Sequence, residues 1–317
     1  MTDTARATAA RPARARQRRE VPPPDLTALL PSWELALRAE RKSPATVKSY
    51  TDGVRRFVAW CAEQGMPAVL DRPTVTGFVV ALMDAGAEAA TAVSRQAAVR
   101  RFSAWLADEG EQEVDRLVGL KRPRLDVKVV DPLSDEETRR LIAACAGPAM
   151  FDRRDEAIVR LMVETGARAG EVVALGVDDV DLAEGKVLIR RGKGGKGRVV
   201  PIGPQTVRAV DRYLRTRRAH RLADGPQLWL GDRGKGFTYD ALHKALAGRA
   251  VAADVAGFRP HRLRHTAAHR WLAAGGSEGG LMAVGGWTTP EMMMRYTRAR
   301  ASERAADEAR ALGLGEW

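Results

Sequence analysis

Four short segments of this chain concentrate side chains that handle charge and protons. The first is Glu164-Thr165-Gly166-Ala167-Arg168-Ala169-Gly170-Glu171, with an arginine and an acid three positions apart. The second, Arg191-Gly192-Lys193-Gly194-Gly195-Lys196, sets two lysines among glycines. The third is Pro260-His261-Arg262-Leu263-Arg264-His265-Thr266, and the fourth is Gly285-Gly286-Trp287 with Tyr296 nine positions further on. Guanidiniums grip anionic oxygens through paired, charge-assisted hydrogen bonds. Imidazoles and amines move protons, and a tyrosine hydroxyl can act as a nucleophile. This inventory suits attack on a phosphodiester, whose transition state gathers charge on its non-bridging oxygens.

Other patterns built from the same residue types do not fit. GARAG lacks the glycine spacing and the preceding strand of a dinucleotide-binding turn. GKGGKGR has Arg198 where a phosphate-binding loop needs lysine, and no Ser or Thr follows. His261, His265 and His269 stand at i, i+4 and i+8, a spacing that could offer metal ligands on a helix. Arg262 and Arg264 flank them, however, and no nearby carboxylate or thiol completes a shell, so no metal is expected. Taken alone, the Gly/Lys segment also reads as a plain solvated turn.

Taken in order and with their gaps, the TGxRxxE, GKGxK, HxLRHT and distal tyrosine elements resemble the tyrosine recombinase, or phage integrase, family. The resemblance runs from about Leu26 onward, and the SPATVKSYTDGVRRFVAW stretch is similar to the family's N-terminal core-binding domain. It implies a site-specific recombinase that cuts and rejoins DNA through a 3′-phosphotyrosine on Tyr296. By family position, Arg168 and Arg264 clamp the phosphate, and His261 is the general base or proton shuttle. Lys193 is the general acid for the leaving 5′ oxygen, with Lys196 as the neighbouring alternative. Trp287 stands where most of the family has histidine; its indole can donate a hydrogen bond and buttress the site but cannot carry a proton. Glu171 orients Arg168 or its helix, unless the two form only a surface pair. His265 supports the site by hydrogen bonding. Tyr296, one of four tyrosines, also reads as a core residue of a Met-rich helix.

These residues need elements to hold them. Ser43 is a good N-cap with Pro44 as the first helical residue, and Val47, Tyr50, Val54, Phe57 and Cys61 recur at three and four, so a helix is expected up to a stop at Gly65. A second helix is expected from about Ala92 to Ala107, burying Val99, Phe102 and Leu106. Arg95, Arg100 and Arg101 on its opposite face are candidate DNA contacts, as is Lys196. KRPRLDVKVVDP reads as an extended linker, after which Ser134 and Glu137 form a capping box. Val187-Leu188-Ile189 and Val199-Val200 flank RRGKGGKGR as a β-hairpin, and helices follow, interrupted at Gly225-Pro226 and Arg259-Pro260. RARASERAADEARALG reads as a final helix that either packs on its own chain or, as the family implies, docks on a neighbouring subunit.

The expected architecture is mostly α with a small β-sheet. It comprises a basic disordered tail over 1–24, a helical core-binding (SAM-like) domain over 25–120, a linker over 121–132 and a mixed α/β catalytic domain over 133–317. The chain has 317 residues and a 45% apolar share, enough for two real cores. A net charge of +12 and a sequence pI near 10.3 point to a polyanionic partner, duplex DNA first. Cys61 and Cys145 read as buried thiols in a reducing cytoplasm. The start lacks a secretory apolar stretch; its Arg- and Ala-rich character also fits a transit peptide, though the reading is a cytoplasmic, nucleoid-associated bacterial protein. By resemblance, the protein is a monomer or weak dimer when free and a homotetramer in synapsis, aided by accessory DNA-bending proteins. It uses no metal, nucleotide or redox cofactor and has no membrane association. A topoisomerase of the same chemistry is disfavoured by the short N-terminal module, and a catalytically silent DNA-binding protein of the same fold is the alternative.

Overall fold

The computed structural model describes residues 25–125, 130–190, 197–232, 235–297 and 301–313, except the side chain of Arg295. The basic tail, Lys193 and Lys196 lie outside the described residues. The chain divides into two compact units, Met1–Val127 and Lys128–Trp317.

The N-terminal unit is built from α1 (Leu30–Ala39), α2 (Pro44–Glu63), α3 (Arg72–Asp84) and α4 (Ala89–Asp108). Ser43 caps α2 by accepting a hydrogen bond from the Thr46 N–H at 3.1 Å, and Pro44 occupies the first turn, where a missing N–H costs nothing. The apolar stripe of α2 is buried as its period requires, with Val54 and Phe57 fully enclosed beside Phe102 and Leu106 of α4. Gly53 lets α2 and α4 approach closely: a Cβ there would lie 2.5 Å from that of Ala98.

The second unit opens with α5 (Asp135–Ala143), α6 (Met150–Thr165) and the short α7 (Ala169–Val173). A three-stranded antiparallel sheet follows, β1 (Val180–Asp181), β2 (Lys186–Ile189) and β3 (Arg198–Pro201), in the order β1-β2-β3. Then come α8 (Pro204–Arg217), α9 (Tyr239–Ala252), α10 (Pro260–Ala273), α11 (Glu278–Gly285), α12 (Pro290–Thr297) and α13 (Ala301–Ala311). The expected hairpin is thus present, with Val187 opposite Val200 and Ile189 opposite Arg198. Strand β1 was invisible to periodicity because two residues are too few to show a period. Mostly helical structure with this small sheet is the fold class the sequence implies. No helix among the described residues is long and apolar enough to cross a membrane.

Helix α6 is the spine of this unit and packs against α8 and α10. Its N-terminal half buries charge instead of apolar surface. Asp155 accepts from Arg154 Nε at 3.0 Å and from Arg249 Nε at 2.9 Å, while Arg249 also reaches Asp152 at 2.7 Å and the Ala144 carbonyl at 3.0 Å. Cys145 is buried nearby, and burial, helped by the charge of Asp155, pushes its thiol up to about 12. Removing one partner of a buried ion pair leaves the other charge stranded, which typically costs about 3–5 kcal/mol. Asp155→Ala should therefore destabilise the C-terminal unit by about that amount in denaturant unfolding. A loss below about 1 kcal/mol would mean that the network is solvated and structurally idle.

Candidate active site

Arg168 is positioned by a break between helices. Helix α6 ends at Thr165, Gly166 takes a left-handed φ of +64°, and the chain re-enters helix at Ala169 with Arg168 as N-cap. A Cβ at Gly166 would be strained and would press on Ala267 at 3.3 Å, so the glycine lets α6 end against α10. Glu171 caps the new helix by accepting from the Arg168 N–H at 2.9 Å, and its other oxygen accepts from Arg168 Nη1 at 2.9 Å. Glu171 is only 7% exposed, so the surface-pair alternative does not hold. Arg168 also donates through Nη2 to the Gly286 carbonyl at 3.4 Å.

Helix α10 contributes His261, Arg264 and His265 from one turn and a half. Arg264 is 1% exposed. Its Nη1 donates to the Gly166 carbonyl, its guanidinium stacks 3.9 Å from the Trp287 ring centroid, and it lies 5.1 Å from that of Tyr296. Burial, reinforced by the charge of Arg168, lowers its pKa to about 10, so it stays cationic at neutral pH. Arg264 Nε, Arg264 Nη2 and Trp287 Nε1 are buried and make no hydrogen bond of good geometry among the described residues, although the Arg264 guanidinium does interact with the Tyr296 hydroxyl. Native proteins rarely leave such donors unmet.

Tyr296 sits on α12 inside a cage of rings. Its centroid lies 4.6 Å from that of His265, 5.0 Å from Trp287 and 5.2 Å from His261. Burial lowers the His265 pKa to about 4, with the neighbouring His261 acting in the same sense, so this imidazole is neutral at pH 7. His265 packs its ring on Tyr296 and also hydrogen-bonds to the Tyr296 backbone. His261 stands at the rim, still exposed on its outer edge. Burial of its inner edge, then the charges of Arg264 and Arg168, lower its pKa below 6.5. Gly285 is fixed by Trp287, since a Cβ there would fall 2.0 Å from the indole.

Five of the six residues expected to do chemistry therefore converge, from α6–α7, α10, the α11–α12 turn and α12. Lys193 lies outside the described residues. A cleft of about 540 Å³ opens beside them, lined by Arg168, Glu171, His243, Arg259, His261 and Arg264. Sequence reasoning missed Arg259, His243 and above all Arg198, which donates to both oxygens of Glu171, from Nη1 at 3.1 Å and Nη2 at 2.8 Å. The signal for Arg198 was present: strand alternation puts it on the same face of β3 as buried Val200.

Glu171 feels both arginines. Burial alone would raise its pKa, but hydrogen bonds from Arg198 and then Arg168 outweigh this and hold the carboxyl below its usual range. Among the described residues no group of three or more His, Cys, Asp or Glu side chains could hold a metal ion, and His269 lies 3.2 Å from Arg304. In the N-terminal unit, Arg95 donates to the Ser49 carbonyl at 3.2 Å and Arg101 pairs with Glu40, while Arg100 is half-buried. Two of the three arginines expected to face DNA thus have partners within their own unit.

Residues 132–303 match the model of the phage integrase family, and residues 30–110 match that of the phage integrase N-terminal SAM-like domain. Tyrosine recombinase XerD of Mycobacterium tuberculosis (strain CDC 1551 / Oshkosh) is 33% identical over 247 residues, covering 73% of this chain and 79% of the relative. Tyrosine recombinase XerC of Pseudomonas fluorescens is 28% identical over 242 residues, covering 74% and 79%. Among solved structures, XerH recombinase bound to difH in a post-cleavage complex superposes with a TM-score of 0.70 at 17% identity, covering 89% of this chain and 84% of that one. A lambda integrase tetramer bound to a Holliday junction superposes with a TM-score of 0.66 at 14% identity, covering 87% and 78%. This chain belongs to the phage integrase family of tyrosine recombinases.

Proposed function

We propose that this chain is a site-specific recombinase that cleaves and rejoins duplex DNA through a covalent 3′-phosphotyrosine on Tyr296. The observation that carries the reading is Tyr296 caged by His261, His265, Trp287 and Arg264, beside buried Arg264 and Trp287 donors that make no well-formed hydrogen bond among the described residues. A scissile phosphate supplies the acceptor. Its non-bridging oxygens take hydrogen bonds from Arg168 and Arg264, with Trp287 Nε1 as a further donor. The Tyr296 oxygen attacks phosphorus as its proton passes to His261. The bond from phosphorus to the 5′ oxygen breaks, and that oxygen takes a proton from Lys193 to leave as a 5′ hydroxyl. The tyrosyl ester keeps the energy of the broken bond, so the 5′ hydroxyl of another strand can reverse the step without ATP.

Affinity in this reading comes largely from Lys and Arg contacts to phosphates and falls steeply with salt. The lambda integrase tetramer on a Holliday junction supports a homotetramer as the strand-exchanging form.

The test uses a pool of nicked duplexes with randomised flanking arms, the nick placed so that cleavage releases a short fragment. Protein-linked DNA is recovered from a denaturing gel and sequenced. Wild type should yield protease-sensitive adducts enriched in one site, Tyr296→Phe should yield none, and Arg168→Ala should cleave more slowly by on the order of a hundredfold. Absence of a wild-type adduct, or an undiminished one in Tyr296→Phe, would favour the silent DNA-binding alternative.

The lowered pKa of His261 fixes the sign of the pH dependence. A base with a depressed pKa stays deprotonated to lower pH, so single-turnover cleavage should hold steady from neutral down past pH 6.5 and fall only below it. Arg168→Gln removes one of the charges responsible, so the acid limb of this slower variant should move upward toward 6.5. A wild-type limb centred above 6.5 would remove His261 from the role of base.

A further inference from the structure

Arg198 occupies the pair with Ile189, the last ladder pair before the hairpin leaves the described residues. Its side chain is 11% exposed and makes three contacts in two directions. Two nitrogens fork onto the Glu171 carboxylate, at 3.1 and 2.8 Å, and Nε donates to the Val284 carbonyl near the end of α11 at 2.7 Å. Glu171 is the same carboxylate that orients Arg168, whose Nη2 reaches the Gly286 carbonyl. The fit at Gly286 is close: its φ is +66°, and a Cβ there would fall 2.8 Å from Arg198 Nη1. One guanidinium thus ties β3 to the residue behind the phosphate clamp and to the turn that carries Trp287.

Lys193 lies five positions before Arg198, within about 17 Å of chain. A buried arginine on the inward face of a strand carries a desolvation cost, which a forked, hydrogen-bonded partner offsets.

We propose that Arg198 is a positioning residue for strand cleavage: by forking onto Glu171 it fixes the base of the Lys193 hairpin against Arg168, so that the general acid and the phosphate clamp address the same phosphodiester. The inference rests on the role proposed above for Lys193. Arg198 itself touches neither phosphate nor leaving group.

The test compares two suicide duplexes carrying the site recovered by covalent trapping, one with the ordinary bridging 5′ oxygen and one with sulfur in its place. A thiolate leaves without a proton because a thiol is far more acidic than an alcohol, so the sulfur duplex bypasses the general acid. On the oxygen duplex, Arg198→Ala should cleave more slowly by on the order of a hundredfold. On the sulfur duplex it should come within about threefold of wild type, whereas Arg168→Ala should stay impaired on both. Arg198→Lys keeps a cation beside Glu171 but cannot fork onto it and reach Val284 together. This variant should show the same selective loss, with unchanged melting and duplex binding, and it carries the test should the alanine variant fold poorly. An equal deficit on both duplexes in Arg198→Lys, or none on the oxygen duplex, would overturn the inference while leaving the proposed function standing. Failure of wild type on both duplexes would overturn the proposed function, and the inference with it.

Discussion

Arg168 and Arg198 reach the Glu171 carboxylate at distances between 2.8 and 3.1 Å, and the rest of the site depends on that shared contact. Like charges gathered in a poorly solvated pocket repel by about 4 kcal/mol per pair at 4 Å, using an effective dielectric of 20. Arg264 and Arg168 do oppose each other: burial lowers the pKa of Arg264 most, and the charge of Arg168 lowers it further. A carboxylate on the first turn of α7 offsets part of that repulsion, caps the helix and sets the orientation of Arg168 in one arrangement. It also explains why the hairpin is anchored where it is, because a buried acid with two oxygens has acceptor capacity for two guanidiniums.

The balance is left incomplete. Among the described residues, two buried Arg264 nitrogens and the Trp287 indole N–H make no well-formed hydrogen bond, each a deficit of up to about 1–3 kcal/mol in an apolar setting. An anion entering the pocket would recover those deficits, and a phosphorane-like transition state with more charge on its oxygens would recover more than the ground state does. That difference is what accelerates a reaction. Cations assembled in advance need no reorganisation when the charge develops. In the proposed reaction, the incomplete hydrogen bonding of buried Arg264 is therefore part of what the fold provides.

Much of this was legible in the sequence because short-range rules govern it. The Ser43 cap, the 47–61 stripe, the Ser134 capping box and the strands flanking the glycine-rich turn follow from local propensity, and each forms. The motif residues could be named because their order along the chain is distinctive, even though nothing local marks Tyr296 as more than one residue of a short helix. Arg198 was passed over because its partner lies 27 positions away and its meaning depends on which face of a four-residue strand turns inward. Arg95 and Arg101 show a second limit of local reading. A charged helix face suggested contacts to DNA, but Ser49 and Glu40 lie close enough to engage two of its arginines within the unit. Helical periodicity reports which face is polar; it does not report what that face meets.

Trp287 clarifies how labour is divided within the site. An indole cannot exchange a proton at working pH, and here it stacks on Arg264 at 3.9 Å while packing against Tyr296. His265, with its pKa lowered to about 4, is likewise neutral, so neither ring adds a cation to a floor that already holds a buried arginine. The floor of the pocket is thus electrostatically fixed: one permanent charge, two neutral rings and donors awaiting an acceptor. Of the groups proposed to move protons, His261 stands at the exposed rim. Proton exchange with solvent requires access, whereas field strength requires its absence. A single pocket meets both demands by keeping its static charge deep and the titrating His261 at the edge. In the proposed reaction both layers act on one phosphorus atom, and the Arg198 contact from β3 to Glu171 meets that demand by fixing the strand to the floor.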